Sequence, residues 1–308
     1  MQQYFGKEKK DNTIYINQED LNHIKNVMRM KENDEVIVAY ENKSYICSLN
    51  KDLLSANIKE IFKENESETR IKLYMPLLSE EKMSFILQHG TELGITDYIV
   101  VMYRHCKYKL KQKDFDKKLQ RWAKILKEAT EQCYRINKPS IDKIIEVKDI
   151  EASENVNIMC SLDKEDVNSI VKVLTLDNCN DTISIVFGPE GGLSKSEEEF
   201  LSKKGFIKTS LGSDVLRTET VPLMIASILK YLKECGNNGK LWQIFRNFYD
   251  RRFFSNIFNF NVNYIVSFST CSCKNKNRIL RNGKKRTRKN WSWKQIQKTN
   301  WRTKATRD

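Results

Sequence analysis

The sequence predicts an α/β protein in two parts, a small barrel of short strands followed by a largely parallel sheet with helices between its strands. Three observations predict it. The first 70 residues carry short apolar runs separated by polar turns, the spacing of a small barrel. From about residue 71 the rhythm changes to apolar runs alternating with amphipathic segments. Two glycine-bearing turns, FGPEGG at 187–192 and LGSDVLRTET at 211–220, each follow an apolar run in that second part.

In the first part TIYI (13–16), EVIVAY (35–40), KSYICSL (43–49) and SANIKEIF (55–62) read as strands, broken by turns such as KEND and ENK. Between the first two, QEDLNHIKNVMRM reads as a short helix with Leu21, Ile24, Val27 and Met28 on one face. In the second part IKLYMPL is a strand, and EEKMSFILQHGTELG is a helix with Gly94 as its C-cap. DYIVVMY (97–103) is the next strand. Residues 114–135 form a long amphipathic helix that turns Leu119, Trp122, Ala123, Leu126, Ala129 and Cys133 inward. NVNIMCSL (155–162), DTISIVF (181–187) and GFIKTSLG (205–212) are further strands. A helix starts at Ser194 on a capping-box pattern with Glu197, and a closing helix runs from Thr218 to about Cys235. The expected domains are therefore 1–70, 71–236 and a tail at 237–308.

Charge divides along the same boundaries. The net charge is +14, but residues 237–308 alone hold 18 Lys and Arg against Asp250 and Asp308. The body before them is close to neutral, so its partners must be recognised by placed residues, not by total charge. The tail also carries four of the five tryptophans and lacks glutamate. It reads either as an RNA-binding arm that orders on contact or as an extension foreign to the fold.

No stretch of about 18 apolar residues is present, and MQQYFGKEKKDN lacks the apolar segment of a signal peptide, so a cytoplasmic protein with no membrane span is expected. The eight cysteines are scattered and read as free thiols. Cys271 and Cys273 form a lone CxC far from His23, His89 and His105, so no metal site is expected.

Three glycines and a proline within GPEGG exceed what a simple corner requires. Both glycine turns follow strand ends, so both face the same edge of the sheet, where ligands of open parallel sheets bind. A phosphate cradle fits poorly, because GxxxxGK[ST] and GxGxxG are both missing and Glu190 stands where an anion needs donors. The expected ligand is neutral or cationic and flat at one end.

VFGPEGGLSKSE followed by LGSDVLRTETVPL resembles the paired motifs of the SPOUT superfamily of RNA methyltransferases. More narrowly the chain is similar to the RsmE family, which methylates N3 of a uridine in 16S rRNA. QHGTELGI (88–95), RWAKILKEATEQCYRINKP (121–139) and HIKNVMRMKENDEV (23–36) extend the resemblance over roughly residues 1–236. It implies a PUA-like RNA-binding barrel, an α/β methyltransferase domain with a trefoil knot, and a homodimer. It implies that S-adenosylmethionine contacts Gly188, Glu190, Gly191, Gly192, Leu211, Gly212, Val215, Leu216 and Arg217, with Leu162 as an addition from the preceding strand end. It also implies that 16S rRNA or the small subunit is contacted by Arg29, Arg104, Arg121 and Arg135. Gln3, His89 and His105 depart from the family pattern, where arginine, lysine and serine are common.

Methylating uracil N3 requires that its proton leave, since the protonated nitrogen is not nucleophilic. Arg217 is the candidate for stabilising the resulting negative charge. Glu219 and Glu190 are the candidates for accepting the proton, directly or through water. The other readings are a SPOUT enzyme acting on another RNA and a non-catalytic RNA-binding assembly protein.

Overall fold

A computed structural model describes residues 1–64, 69–109, 112–161, 167–175, 177–178 and 181–236. The first part is a closed barrel of β1 (Gln2–Lys10), β2 (Thr13–Ile16), β3 (Glu35–Tyr40), β4 (Lys43–Leu49) and β5 (Ser55–Glu64), in the order β1-β2-β5-β4-β3. Four strands match those read from the sequence. β1 was not anticipated, and it closes the barrel by pairing antiparallel with β2 and parallel with β3. Its second half, KEKK, is exposed and shows none of the apolar run that marks a strand. Tyr4, Ile14, Val36, Val38, Cys47 and Leu49 fill the interior.

The helix expected between β2 and β3 is instead a 3-10 turn at Gln18–Asp20 followed by a π-type turn at His23–Val27. Only Ile24 of the anticipated face is fully buried, while Val27 and Met28 are exposed. Tight or wide turns do not keep the 3.6-residue spacing on which that face was drawn.

The second part is a seven-stranded sheet ordered β10-β12-β9-β11-β6-β7-β8. Its strands are β6 (Ile71–Pro76), β7 (Asp97–Met102), β8 (Ser140–Glu146), β9 (Val156–Cys160), β10 (Asn168–Ser169), β11 (Ile183–Phe187) and β12 (Ile207–Ser210). Every pairing described is parallel. The helices are α1 (Glu80–Glu92), α2 (Gln112–Gln132), α3 (Ile170–Val173), α4 (Lys195–Lys203) and α5 (Thr220–Gly236). This is the predicted fold class, with β8, β10 and α3 added. β8 is an edge strand with only Ile141 buried, so it reads as polar chain.

The central strands are apolar because both faces are covered. Leu73, Met75, Val100, Ile158, Ile183 and Ile185 meet Trp122, Leu126 and Ile225 of the helices in one core. On α2, Trp122, Leu126 and Ala129 are buried as expected, and Leu119, Ala123 and Cys133 half-buried. The C-cap of α1 is Leu93, and Gly94, expected in that place, follows it at φ 99°, the left-handed residue just beyond the helix end. The chain doubles back after β11: it crosses to β12 on the far side of β9, then returns in α5 to pack against α1 and β11. No helix among the described residues is long and apolar enough to cross a membrane. The basic tail expected at 237–308 lies outside the described residues.

Candidate active site

The first glycine turn starts where β11 ends. A Cβ on Gly188 would lie 2.6 Å from the Gly192 carbonyl carbon and 2.7 Å from the Leu193 nitrogen, so only glycine lets the loop fold onto itself here. The Gly192 N–H closes the turn on the Pro189 carbonyl at 2.8 Å. Ser194 then caps α4 as read from the sequence, its N–H and hydroxyl both donating to Glu197 Oε2 at 2.7 Å. The other oxygen of this buried carboxylate accepts the Arg104 N–H at 2.8 Å. His105 Nδ1 lies 3.2 Å from the Gly192 carbonyl oxygen. The loop after β7 is thereby fastened to the glycine turn.

The second turn follows β12 and contains Gly212 at φ 142°, a left-handed-side backbone that side chains disfavour. A Cβ there would meet open space, so conformation and not crowding calls for glycine. Between the two turns stands β9, which pairs with β11 on one side and β12 on the other.

These three strand ends and the two turns enclose a cavity of ≈ 450 Å³. Gly188, Glu190, Gly192, Leu211, Gly212, Val215 and Leu216, all expected as contacts, line it. Gly191 and Arg217 do not, and Leu162 lies outside the described residues. Sequence reasoning missed Cys160, Ser161, Val167, Ser169, Thr209 and Asp214, among other wall residues. Cys160 and Ser161 end the strand read as NVNIMCSL, so the signal was there in the rule that ligands sit beyond strand ends. Cys160 is a neutral thiol, since burial pushes it up to about 12.

The walls carry two carboxylates, Glu190 and Asp214, and no Lys, Arg or His among the described lining residues. Such a cavity disfavours anions and suits a neutral or cationic ligand bound through main chain. Its volume is within the range of about 300–1,000 Å³ typical of small-molecule sites.

Lys82, in the first turn of α1, reaches both candidate proton acceptors. Its Nζ is 2.7 Å from Glu190 Oε1 and 3.3 Å from Glu219 Oε2. The hydrogen bond from Lys82 holds the Glu190 carboxyl below its ordinary range and raises the Lys82 ammonium in turn. Glu219 is the more shielded of the two carboxylates, its side chain 15% exposed against 50% for Glu190. Arg217 precedes α5, is exposed, and its guanidinium makes no ion pair among the described residues.

The remaining basic candidates are dispersed. Arg104 stands exposed beside the first glycine turn. Arg29 is exposed on the barrel. Arg121 lies on α2, 3.7 Å from Glu80. Arg135 turns Nη1 to the Thr91 and Ile95 carbonyls at 2.9 and 2.8 Å, at the end of α1. Of the departures from the family pattern, Gln3 is fully buried and donates to the Arg135 carbonyl at 2.7 Å, joining barrel to body. His89 sits edge-on to Phe85 and 3.1 Å from Glu92.

A family model described as an RNA methyltransferase domain matches residues 65–230, and one described as an RNA methyltransferase PUA domain matches residues 16–59. A Bacillus subtilis (strain 168) protein named ribosomal RNA small subunit methyltransferase E is 34% identical over 234 residues, which cover 72% of this chain and 91% of that protein. One of the same name from Aquifex aeolicus is 30% identical over 238 residues, 74% of this chain and 99% of that protein. The crystal structure of the Neisseria gonorrhoeae protein of that name, bound to S-adenosyl methionine, superposes with a TM-score of 0.63 at 27% identity. It covers 75% of this chain and 98% of the gonococcal one.

Proposed function

The chain belongs to the RNA methyltransferase family that includes ribosomal RNA small subunit methyltransferase E, and from that premise we propose that it methylates N3 of a uridine in 16S rRNA with S-adenosylmethionine. The observation that carries the reading is the cavity between the two glycine turns. A site with two wall carboxylates and no wall cation among the described residues favours a sulfonium over a nucleotide phosphate. Gly188, Gly192, Leu211, Gly212, Val215 and Leu216 would hold the cofactor through main chain and apolar contact. When bound, S-adenosylmethionine supplies a methyl group whose bond to sulfur breaks as the nucleophilic nitrogen forms its new bond, the electron pair leaving with the sulfur.

The residues of this chain act on the uracil. As the N3 proton departs, negative charge spreads to O2 and O4, where the guanidinium of Arg217 stabilises it. The proton passes to a carboxylate of the Glu190–Glu219 pair, directly or through water. Glu219 is the better acceptor of the two, because Glu190 is held more closely by Lys82. A target base in folded RNA must leave its stack to reach the cavity. Arg104 beside the glycine turn, with Arg29, Arg121 and Arg135, would contact the RNA. A cytoplasmic homodimer, in which one subunit's barrel presents RNA to the other's cavity, completes the proposal.

The test incubates the purified protein with methyl-labelled S-adenosylmethionine and small subunits that lack the modification, then maps the methyl group. Label at uridine N3 of 16S rRNA supports the reading. Label at another nucleotide replaces the target, and cofactor binding without any transfer replaces catalysis with a binding role. An Arg217→Ala enzyme with wild-type turnover removes that residue from the mechanism.

A further inference from the structure

We propose that Lys82 is a positioning residue for methyl transfer, its ammonium clamping the carboxylates of the two glycine turns together at the cavity rim. The inference rests on the methyltransferase reading of that site. Lysine is out of place in the first turn of a helix, where the positive end of the dipole repels a cation. The Lys82 side chain is nonetheless only 30% exposed, and it is drawn inward by Glu190 and Glu219 at 2.7 and 3.3 Å. Glu190 belongs to the turn after β11 and Glu219 to the segment after β12 that leads into α5. The two turns are separated by β9, so the ammonium on α1 joins them where the sheet does not.

The clamp has two consequences. Mechanically, it fixes the distance between the turns that wall the cavity, so the Glu219 acceptor keeps its place relative to bound cofactor. Electrostatically, its positive charge offsets the repulsion between the two carboxylates it bridges and holds the Glu190 carboxyl below its ordinary range. Lys107 also acts on Glu190 from the loop after β7, and Arg217 precedes Glu219 by two residues in the segment leading to α5. Neither is within ion-pair distance of Glu219 among the described residues. During transfer the N3–H bond breaks, its electron pair forms the N–CH3 bond, and the proton moves to the Glu219 carboxylate.

Lys82→Met and Lys82→Gln test the clamp, with Lys82→Arg as the conservative control. The neutral variants are expected to lower kcat about tenfold or more with a smaller change in KM for the cofactor, and to move the acid limb of the pH–rate profile to higher pH. The arginine variant restores both. A readout independent of RNA is the carbon-13 titration of the Glu190 carboxyl in ligand-free protein, which should shift upward in Lys82→Gln. An unchanged acid limb together with an unshifted Glu190 titration overturns the clamp, even if kcat falls. Should the wild type transfer no methyl group, the methyltransferase reading fails separately, and the titration still decides whether Lys82 holds the pair.

Discussion

At the carboxyl end of the sheet, main chain, neutral side chains and the carboxylates of Glu190 and Asp214 wall the cavity, and Lys82 joins Glu190 to Glu219 beside it. The junction between barrel and α2 is built the other way. There Lys127, 19% exposed, is packed against Asp20 and Glu19 of the barrel and lies 3.9 Å from Glu131 of its own helix. Nearby Gln3 is sealed against the Arg135 carbonyl. One region leaves backbone bare so that something else can occupy it. The other ties barrel to helix through ion pairs and a buried amide, although Gln3 Oε1, Asp20 Oδ2 and Glu131 Oε1 are buried there without a hydrogen-bond partner among the described residues.

The largest effect expected from breaking this contrast is at Gly188. Gly188→Ala forces a methyl group against main-chain atoms at 2.6 and 2.7 Å, so the turn must open. Cofactor affinity should fall by about 100-fold or more, roughly 3 kcal/mol, in isothermal titration, and the thermal midpoint should fall with it because the displaced atoms are main chain. Unaltered affinity would mean that the turn does not shape the binding site.

Arg135→Ala probes the other region. Losing two charge-assisted hydrogen bonds to the Thr91 and Ile95 carbonyls should destabilise the fold by about 2 kcal/mol. Urea unfolding should show this as a lower midpoint at constant m-value, with cofactor affinity preserved. A stable variant with weakened RNA binding would instead assign Arg135 to the RNA surface.

Glu131 sharpens the comparison through pH. Burial raises its carboxyl to about 7, outweighing the opposing pull of Lys127. An acid whose folded value lies above its unfolded one favours the folded state at low pH, and that advantage is lost as pH rises from about 4.5 to about 7. Glu131→Gln should therefore stabilise the protein by about 1 kcal/mol near pH 8 and change little near about pH 4. Equal effects at both pH values would show that the carboxyl is not held protonated by its surroundings.

The smallest effect is expected at Arg104, exposed beside the cavity. Arg104→Ala should weaken RNA binding about threefold and reduce the slope of log affinity against log salt by about 1. Its stability should match the wild type, because only its backbone N–H serves the fold, through Glu197.

Much of the cavity region was legible because its chemistry is local. Glycines at 188, 191, 192 and 212, a proline, and the Ser194–Glu197 capping box occupy two short contiguous stretches, and strand-ending turns of that composition limit what can lie against them. Cys160 and Ser161 were within reach of the same rule. Arg135 illustrates the opposite case: as text it is one more base in a helical segment, and only the packed end of α1 supplies the carbonyls its guanidinium meets.

By itself the sequence determined the two-part organisation, nine of the twelve strands of the described residues, the long helices, and the two turns that face one edge of the sheet, since these follow from spacing and backbone preference over a few residues. Tertiary structure alone decided that β1 closes the barrel, that β9 stands between the turns, and that Lys82 meets both Glu190 and Glu219. Each of those depends on segments far apart in the chain. A lysine on a helix carries no mark of its partner until packing brings the partner within a few ångströms, where their charges interact strongly.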